Sequence, residues 1–188
     1  EAKIIPARKH LYQSFNNCGP ASLSMLLSYF GIDTSQARLG DELRPVQNPT
    51  GDNDDKSVTL SELAERAEEY NLVAYHRPAG TIEIIKRFVS YEIPVLTRTW
   101  LKTNEDIGHY RVVRGYNDGR NVLIQDDSLQ GKDRRYTYQE FLELWRPFNY
   151  EFLVVVPKGK QEIAERILGV LVEKESAWQK ALGLAETI

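Results

Sequence analysis

Tyr12-Gln13-Ser14-Phe15-Asn16-Asn17-Cys18-Gly19-Pro20-Ala21-Ser22-Leu23-Ser24-Met25-Leu26-Leu27-Ser28-Tyr29-Phe30-Gly31 begins polar and turn-forming, then turns apolar beyond Pro20. Ala21, Leu23, Met25, Leu26, Leu27, Tyr29 and Phe30 predict a helix that is apolar nearly all round, and such a helix belongs at the centre of a molecule. Gly31 is the residue type that commonly follows a helix end, and Pro20 suits the first turn, where its missing N–H has no intrahelical partner. Cys18 therefore stands where loop becomes buried helix.

Around this helix the chain predicts a mixed architecture. Val58 to Asn71 repeats Leu60, Leu63, Ala64 and Ala67 at helical spacing, with Thr59 or Ser61 available as a cap. Arg44 to Lys56, rich in Pro, Asn, Asp and Gly, is longer than an ordinary connection and is expected to be mobile or functional, for instance by covering a cleft. A short helical stretch over Ile82 to Tyr91 precedes three strand-like runs: Pro94 to Trp100, His109 to Tyr116 and Asn121 to Asp126. Asn117-Asp118-Gly119-Arg120 joins the last two as an antiparallel hairpin. Tyr138 to Trp145 predicts another helix and Tyr150 to Val156 another strand. Helices followed by a mostly antiparallel sheet indicate an α+β fold over residues 1–157. Residues 158–188 predict a helical hairpin added to that domain, resembling the start of a tetratricopeptide-type array and open to a protein partner.

Composition narrows the classes of function. The 188 residues suit one core, and 41% hydrophobic with 27% charged residues is a globular composition. A net charge of −3 from interspersed acids and bases lacks the basic footprint of a nucleic-acid binder. No run approaches the roughly 20 apolar residues of a membrane span, and Glu1 to Lys9 is too polar for a signal peptide. The absence of an initial methionine leads to the expectation of a missing upstream segment, with export as one outcome. A single cysteine excludes an internal disulfide and a cysteine-rich zinc site, and the histidines show no metal-ligand spacing, so neither metal nor cofactor is implied.

What remains is nucleophile chemistry. A cysteine at a helix N-terminus meets unpaired N–H groups and the positive end of the dipole, both of which favour its thiolate. Gly19 would leave room for a substrate chain beside the sulfur. Gln13, five residues upstream, can fold back and offer its amide, with the Cys18 N–H, to a developing oxyanion. Of the three histidines, His10 and His76 lie in irregular or charged surroundings expected at the surface. His109 follows Gly108 at the start of a strand, where a rigid sheet can present it to a cleft. With a two-residue Asp118-Gly119 turn, Arg111 faces Asp126, and His109 and Asp126 become diagonal neighbours on one face. A bulge or an odd loop reverses the parity and puts Asp127 there instead. Trp100, Tyr110 and Trp145 are candidate cleft aromatics, and Gly108 a candidate substrate contact.

These segments resemble a known family, the stand-alone relatives of the bacteriocin-processing, double-glycine-leader peptidases, which are papain-like cysteine peptidases. The resemblance lies in Gln13 with Asn16 to Ser22, the helix to Gly31, Gly108-His109-Tyr110 leading into Val112-Val113 and Gly115-Tyr116, and Val122 to Asp126. It implies a papain-like fold, N-terminal helices packed on a mostly antiparallel sheet, with Cys18 as nucleophile, His109 as base, Asp126 as orienter and Gln13 as oxyanion donor. It also implies a peptide or protein substrate. The family often has proline after the aspartate, and this chain has Asp127. Acyl transfer to another amine, side-chain amide hydrolysis and a non-catalytic peptide-binding module are the alternative readings of the same residues.

Overall fold

The computed structural model describes residues 1–45 and 57–186. In chain order the elements are β1 (Ala2–Ile4), α1 (Cys18–Ser28), α2 (Gln36–Leu43), α3 (Leu60–Glu68), β2 (Leu72–Arg77), α4 (Ile82–Ser90) and β3 (Val95–Trp100). There follow β4 (Gly108–Asn117), β5 (Val122–Asp127), β6 (Gly131–Thr137), α5 (Tyr138–Trp145), β7 (Phe152–Pro157), α6 (Gln161–Leu168) and α7 (Lys174–Ala185). The strands form one antiparallel sheet in the order β2-β7-β3-β4-β5-β6, with β1 added to the far end of β4.

The alternation of side chains along the central strands divides the interior into two apolar layers. Leu96, Tyr110, Val112, Leu153 and Val155 face α1, α2 and α3, while Val95, Val113, Phe152, Val154 and Val156 face α4, α5 and α6. α1 is the most enclosed helix: every residue from Gly19 to Leu27 is buried. Burying each of Leu23, Met25, Leu26 and Leu27 contributes about 1.5–3 kcal/mol. Gly31 follows at φ +76°, the left-handed conformation expected past a helix end. Thr59 with Glu62 and Thr137 with Glu140 form capping boxes that start α3 and α5.

Several elements differ from the sequence expectation. α2 forms in what the sequence suggests is a polar connection; Ser35 caps it, and Leu39 and Leu43 are buried against α1 and α3. β2 is a strand, and β6 forms from the charged run Lys132 to Arg135 because it is a sheet edge, where exposed charges are tolerated and discourage further pairing. The proposed cleft cover at Arg44 to Lys56 lies, beyond Pro45, outside the described residues up to Lys56. The two C-terminal helices form as expected. Ala164, Ile167, Leu168, Leu171, Ala177 and Ala181 join the same apolar cluster as Val154 and Phe88, with Gly169 at φ +55° ending α6. Trp145, a candidate cleft residue by sequence, is instead fully buried in this layer beside Phe141 and Tyr150.

The tightest backbone approach in this layer is at Gly80, where an added Cβ would lie 2.5 Å from Trp145 and 2.8 Å from Phe152. Gly80→Ala is expected to destabilise the fold by about 1–3 kcal/mol through overpacking, read as a lowered urea midpoint with an unchanged m-value. An unaltered midpoint would mean that Trp145 can be displaced without loss.

Candidate active site

The candidate residues lie on the loop and first turn of α1, the start of β4 and the β5–β6 turn, which Gln13 joins to the loop through Ser128; among the described residues no hydrogen bond or ion pair joins Cys18 to His109. Cys18 is the first residue of α1 and is half-buried. The loop before it is held by α2: Gln36 accepts a hydrogen bond from the Ser14 N–H at 2.9 Å and donates to the Tyr12 carbonyl at 2.8 Å. Arg44 donates to the Asn16 carbonyl and to Asn17 Oδ1, and Asn17 donates to Ser14 Oγ. Gly40 of α2 leaves the room for this, since a Cβ there would stand 2.9 Å from Asn17 Oδ1. Asn16 turns the chain at φ +57° immediately before the helix.

His109 is presented by β4, almost wholly buried, and its Nε2 lies 2.8 Å from Asp127 Oδ1. The carboxylate that His109 meets is therefore Asp127 and not the expected Asp126, and the reason is the register. The β4–β5 connection is longer than two residues: Asp118–Arg120 form a 3-10 turn, Asn121 is left-handed at φ +51°, and Asn117 pairs with Val122. An extra residue, Arg114, then bulges from β4 between Val113 and Gly115. The bulge reverses the parity, so that Arg111 faces Asp127 and Val112 faces Asp126. Asp127 thereby shares the face of Arg111 and His109, whereas Asp126 turns to the bulged Arg114, which donates Nε–H at 2.8 Å and also pairs with Asp133.

Asp127 is completely buried. Its Oδ1 also accepts from the Leu129 and Gln130 N–H groups at 2.7 and 2.8 Å. Arg111 Nε lies 3.1 Å from Oδ2 as an ion pair without hydrogen-bond alignment, because the guanidinium is spent on Thr99 Oγ1 and the carbonyls of Trp100 and Leu101. Burial pushes the Asp127 carboxyl up, but His109, the Gln130 N–H and the charge of Arg111 outweigh it and hold it below the ordinary carboxylate value. Asp127 is then ionised, His109 Nε2–H is the donor, and Nδ1 is the nitrogen left to act as base.

Gln13 is drawn to the same place. Its N–H donates to the Ser128 carbonyl at 2.8 Å, and its Oε1 accepts from Ser128 Oγ–H at 2.8 Å. With Oε1 occupied, the NH2 end of the amide is the one free to serve an oxyanion. His10, expected at the surface, is part of this packing, its Nε2 lying 3.0 Å from the Asp127 carbonyl oxygen. His76 pairs with Glu151 at 2.8 Å, on β2.

The remaining candidates divide. Gly19 does not open space for substrate: a Cβ there would meet Val58, Tyr110 and Leu63 at 3.4–3.6 Å, so its smallness lets α1 pack against the sheet. Tyr110 is buried beneath it and donates its hydroxyl to the Val58 carbonyl. Gly108 is exposed at the start of β4, flanked by Phe148 and Arg98, and Trp100 pairs across from it, half-buried. Burial is the main influence on Cys18 and pushes its thiol up; the N–H groups of Gly19 and Cys18 and the charges of Arg98 and Arg44 pull down without overcoming it. The lowered thiol expected from the helix terminus is therefore not found, because burial outweighs those groups. Arg111, Ser128 and Arg98 were not singled out from sequence, although a basic residue in the middle of the Val112-Val113 strand is a signal for a buried acidic partner.

Residues 4–152 match the Peptidase_C39 like family, and the chain belongs to that family. Similar solved structures include a C39-like peptidase from Bacillus anthracis, at 20% identity and TM-score 0.65, with 84% of this chain and 98% of that one covered. The peptidase domain of Streptococcus ComA, a bifunctional ABC transporter of a quorum-sensing pathway, is 22% identical with TM-score 0.62, covering 80% and 99%. A double-glycine-motif protease from an AMS/PCAT transporter, solved with its leader peptide, is 15% identical with TM-score 0.58, covering 83% and 95%. The fold is that of the C39 papain-like peptidases. No curated protein matches the chain.

The two neighbouring aspartates have separable roles. Asp126→Ala leaves Arg114 buried with its main counter-charge gone and is expected to cost about 3–5 kcal/mol, seen in chemical unfolding. A loss below 1 kcal/mol would mean that Asp133 alone neutralises Arg114.

Proposed function

We propose that the protein is a cysteine peptidase with Cys18 as nucleophile, His109 as general base and then acid, Asp127 as the carboxylate that orients it, and Gln13 as oxyanion donor. The observation that carries this reading is the buried hydrogen bond from His109 Nε2 to Asp127. It fixes the tautomer that leaves Nδ1 unprotonated, on a strand whose Tyr110 and Val112 pack against the helix that begins with the chain's one cysteine. Membership of the C39-like family supports the peptidase reading.

The steps balance within these residues. Nδ1 of His109 takes the Cys18 thiol proton, and the sulfur attacks the carbonyl carbon of a peptide bond. The Gln13 amide and the Cys18 N–H hold the oxygen as it gains charge. Collapse breaks the C–N bond while His109 returns the proton to the departing amine. Water, deprotonated by the same nitrogen, then hydrolyses the thioester. Burial pushes the Cys18 thiol up, so in this reading its thiolate forms as the partner of the imidazolium. Exposed apolar side chains on segments bordering these residues, Tyr12, Phe15, Ile107 and Leu129, offer contact area to a peptide.

The test is the pH profile of Cys18 alkylation by iodoacetamide. The native thiol should react well below the ordinary cysteine pKa of about 8.5. In His109→Ala the low-pH limb should vanish, and the thiol should titrate above that value, because burial raises it and nothing then shares its charge. Asp127→Asn should weaken the limb strongly, whereas Asp126→Asn, compared per folded molecule, should keep it. Peptide hydrolysis should fall by about 10²–10⁴ without the base. A native profile identical to that of His109→Ala would refute the proposal.

A further inference from the structure

Arg98 is a cation beside the proposed nucleophile without an acidic partner of its own. Of the other arginines in this sheet, Arg111 is matched by Asp127 and Arg114 by Asp126 and Asp133, while Arg77 is satisfied by the backbone carbonyls of His76, Leu171 and Val172. Among the described residues Arg98 forms no ion pair. It pairs across β3–β4 with Tyr110, is half-buried, and carries its guanidinium carbon 5.9 Å from the Tyr110 ring centroid and 5.0 Å from that of Phe148. The Tyr110 ring rests against Gly19, next to Cys18, and Arg98 Nε lies 3.7 Å from where a side chain on exposed Gly108 would begin. Arg98 is also the foremost positive charge acting on the Cys18 thiol.

Stacking against rings engages the face of a guanidinium and is worth about 0.5–2 kcal/mol. The N–H donors lie in its plane and are shaped for a planar, two-oxygen acceptor. Two aromatic rings restrain this fork beside the residue that must attack, and Gly108, lacking a side chain, leaves its near edge uncovered.

We propose that Arg98 anchors a carboxylate-binding subsite beside Cys18, which takes either an acidic side chain of the peptide substrate or its free C-terminal carboxylate. The proposal names a substrate chemistry for the peptidase reading and rests on it. Its test can be read separately. Cys18 is alkylated in parallel with iodoacetate, which carries a carboxylate, and with iodoacetamide, which does not. Both consume the same thiolate, so their rate ratio cancels any change in thiol pKa and any loss of folded protein. In Arg98→Gln the iodoacetate-to-iodoacetamide ratio should fall by about fivefold, while Arg98→Lys should retain part of it. An unchanged ratio overturns the subsite, even if the His109 dependence stands. A fallen ratio supports it, even if that dependence fails. The source of the carboxylate is then read by protecting Cys18 with peptides: protection by amidated peptides bearing Glu assigns an internal acidic residue, and protection by free acids bearing Gln assigns the C-terminus.

Discussion

The carboxylate of Asp127 organises the site. It is out of water, with one oxygen receiving three N–H groups, from His109, Leu129 and Gln130, and the other facing Arg111. A buried carboxylate survives only when such donors replace its hydration. The donors in turn fix the chain around it. Leu129 and Gln130 define the turn from β5 to β6, Arg111 ties in the carbonyls of Trp100 and Leu101, and Ser128, the next residue, holds Gln13. A single buried charge thus connects His109, Gln13 and the loop after β3.

A second charge group lies one register position away. Arg114, displaced by the bulge, binds Asp126, Asp133 and the Ile5 carbonyl, which attaches the N-terminal segment to the sheet. Both arginines stand on β4 beside valines, and each is directed to a different aspartate. Without the bulge the two aspartates would exchange faces, so the irregularity is part of the site's construction. Between these groups and the nucleophile, α2 supplies the other restraint, since Gln36, Gly40 and Arg44 together shape the loop from Tyr12 to Asn17.

In the proposed acyl-transfer reaction the charges around His109 would be in place before a substrate arrives. The imidazole is oriented by an ionised carboxylate that has no solvent to reorganise. Burial pushes the Cys18 thiol up, so in the proposed reaction it would rely on that imidazole to take its proton. The guanidinium of Arg98 sits over the rings of Tyr110 and Phe148.

Local pattern determined much of this. The apolar run after Cys18 could only be a buried helix, the two β4–β5 strands and their antiparallel pairing followed from alternation and turn residues, and Cys18, His109 and Gln13 could be singled out as candidates from residue type and position. The charged edge strand β6 and the short helix α2 were not, because their formation depends on partners distant in the chain. The choice between Asp126 and Asp127 was also beyond local pattern. Side chains in a strand alternate with a period of two, so one bulged residue exchanges the faces of everything beyond it. Whether Arg114 bulges is decided by what waits on either side of the sheet, two buried carboxylates that must each find a cation, and that balance exists only in the folded molecule.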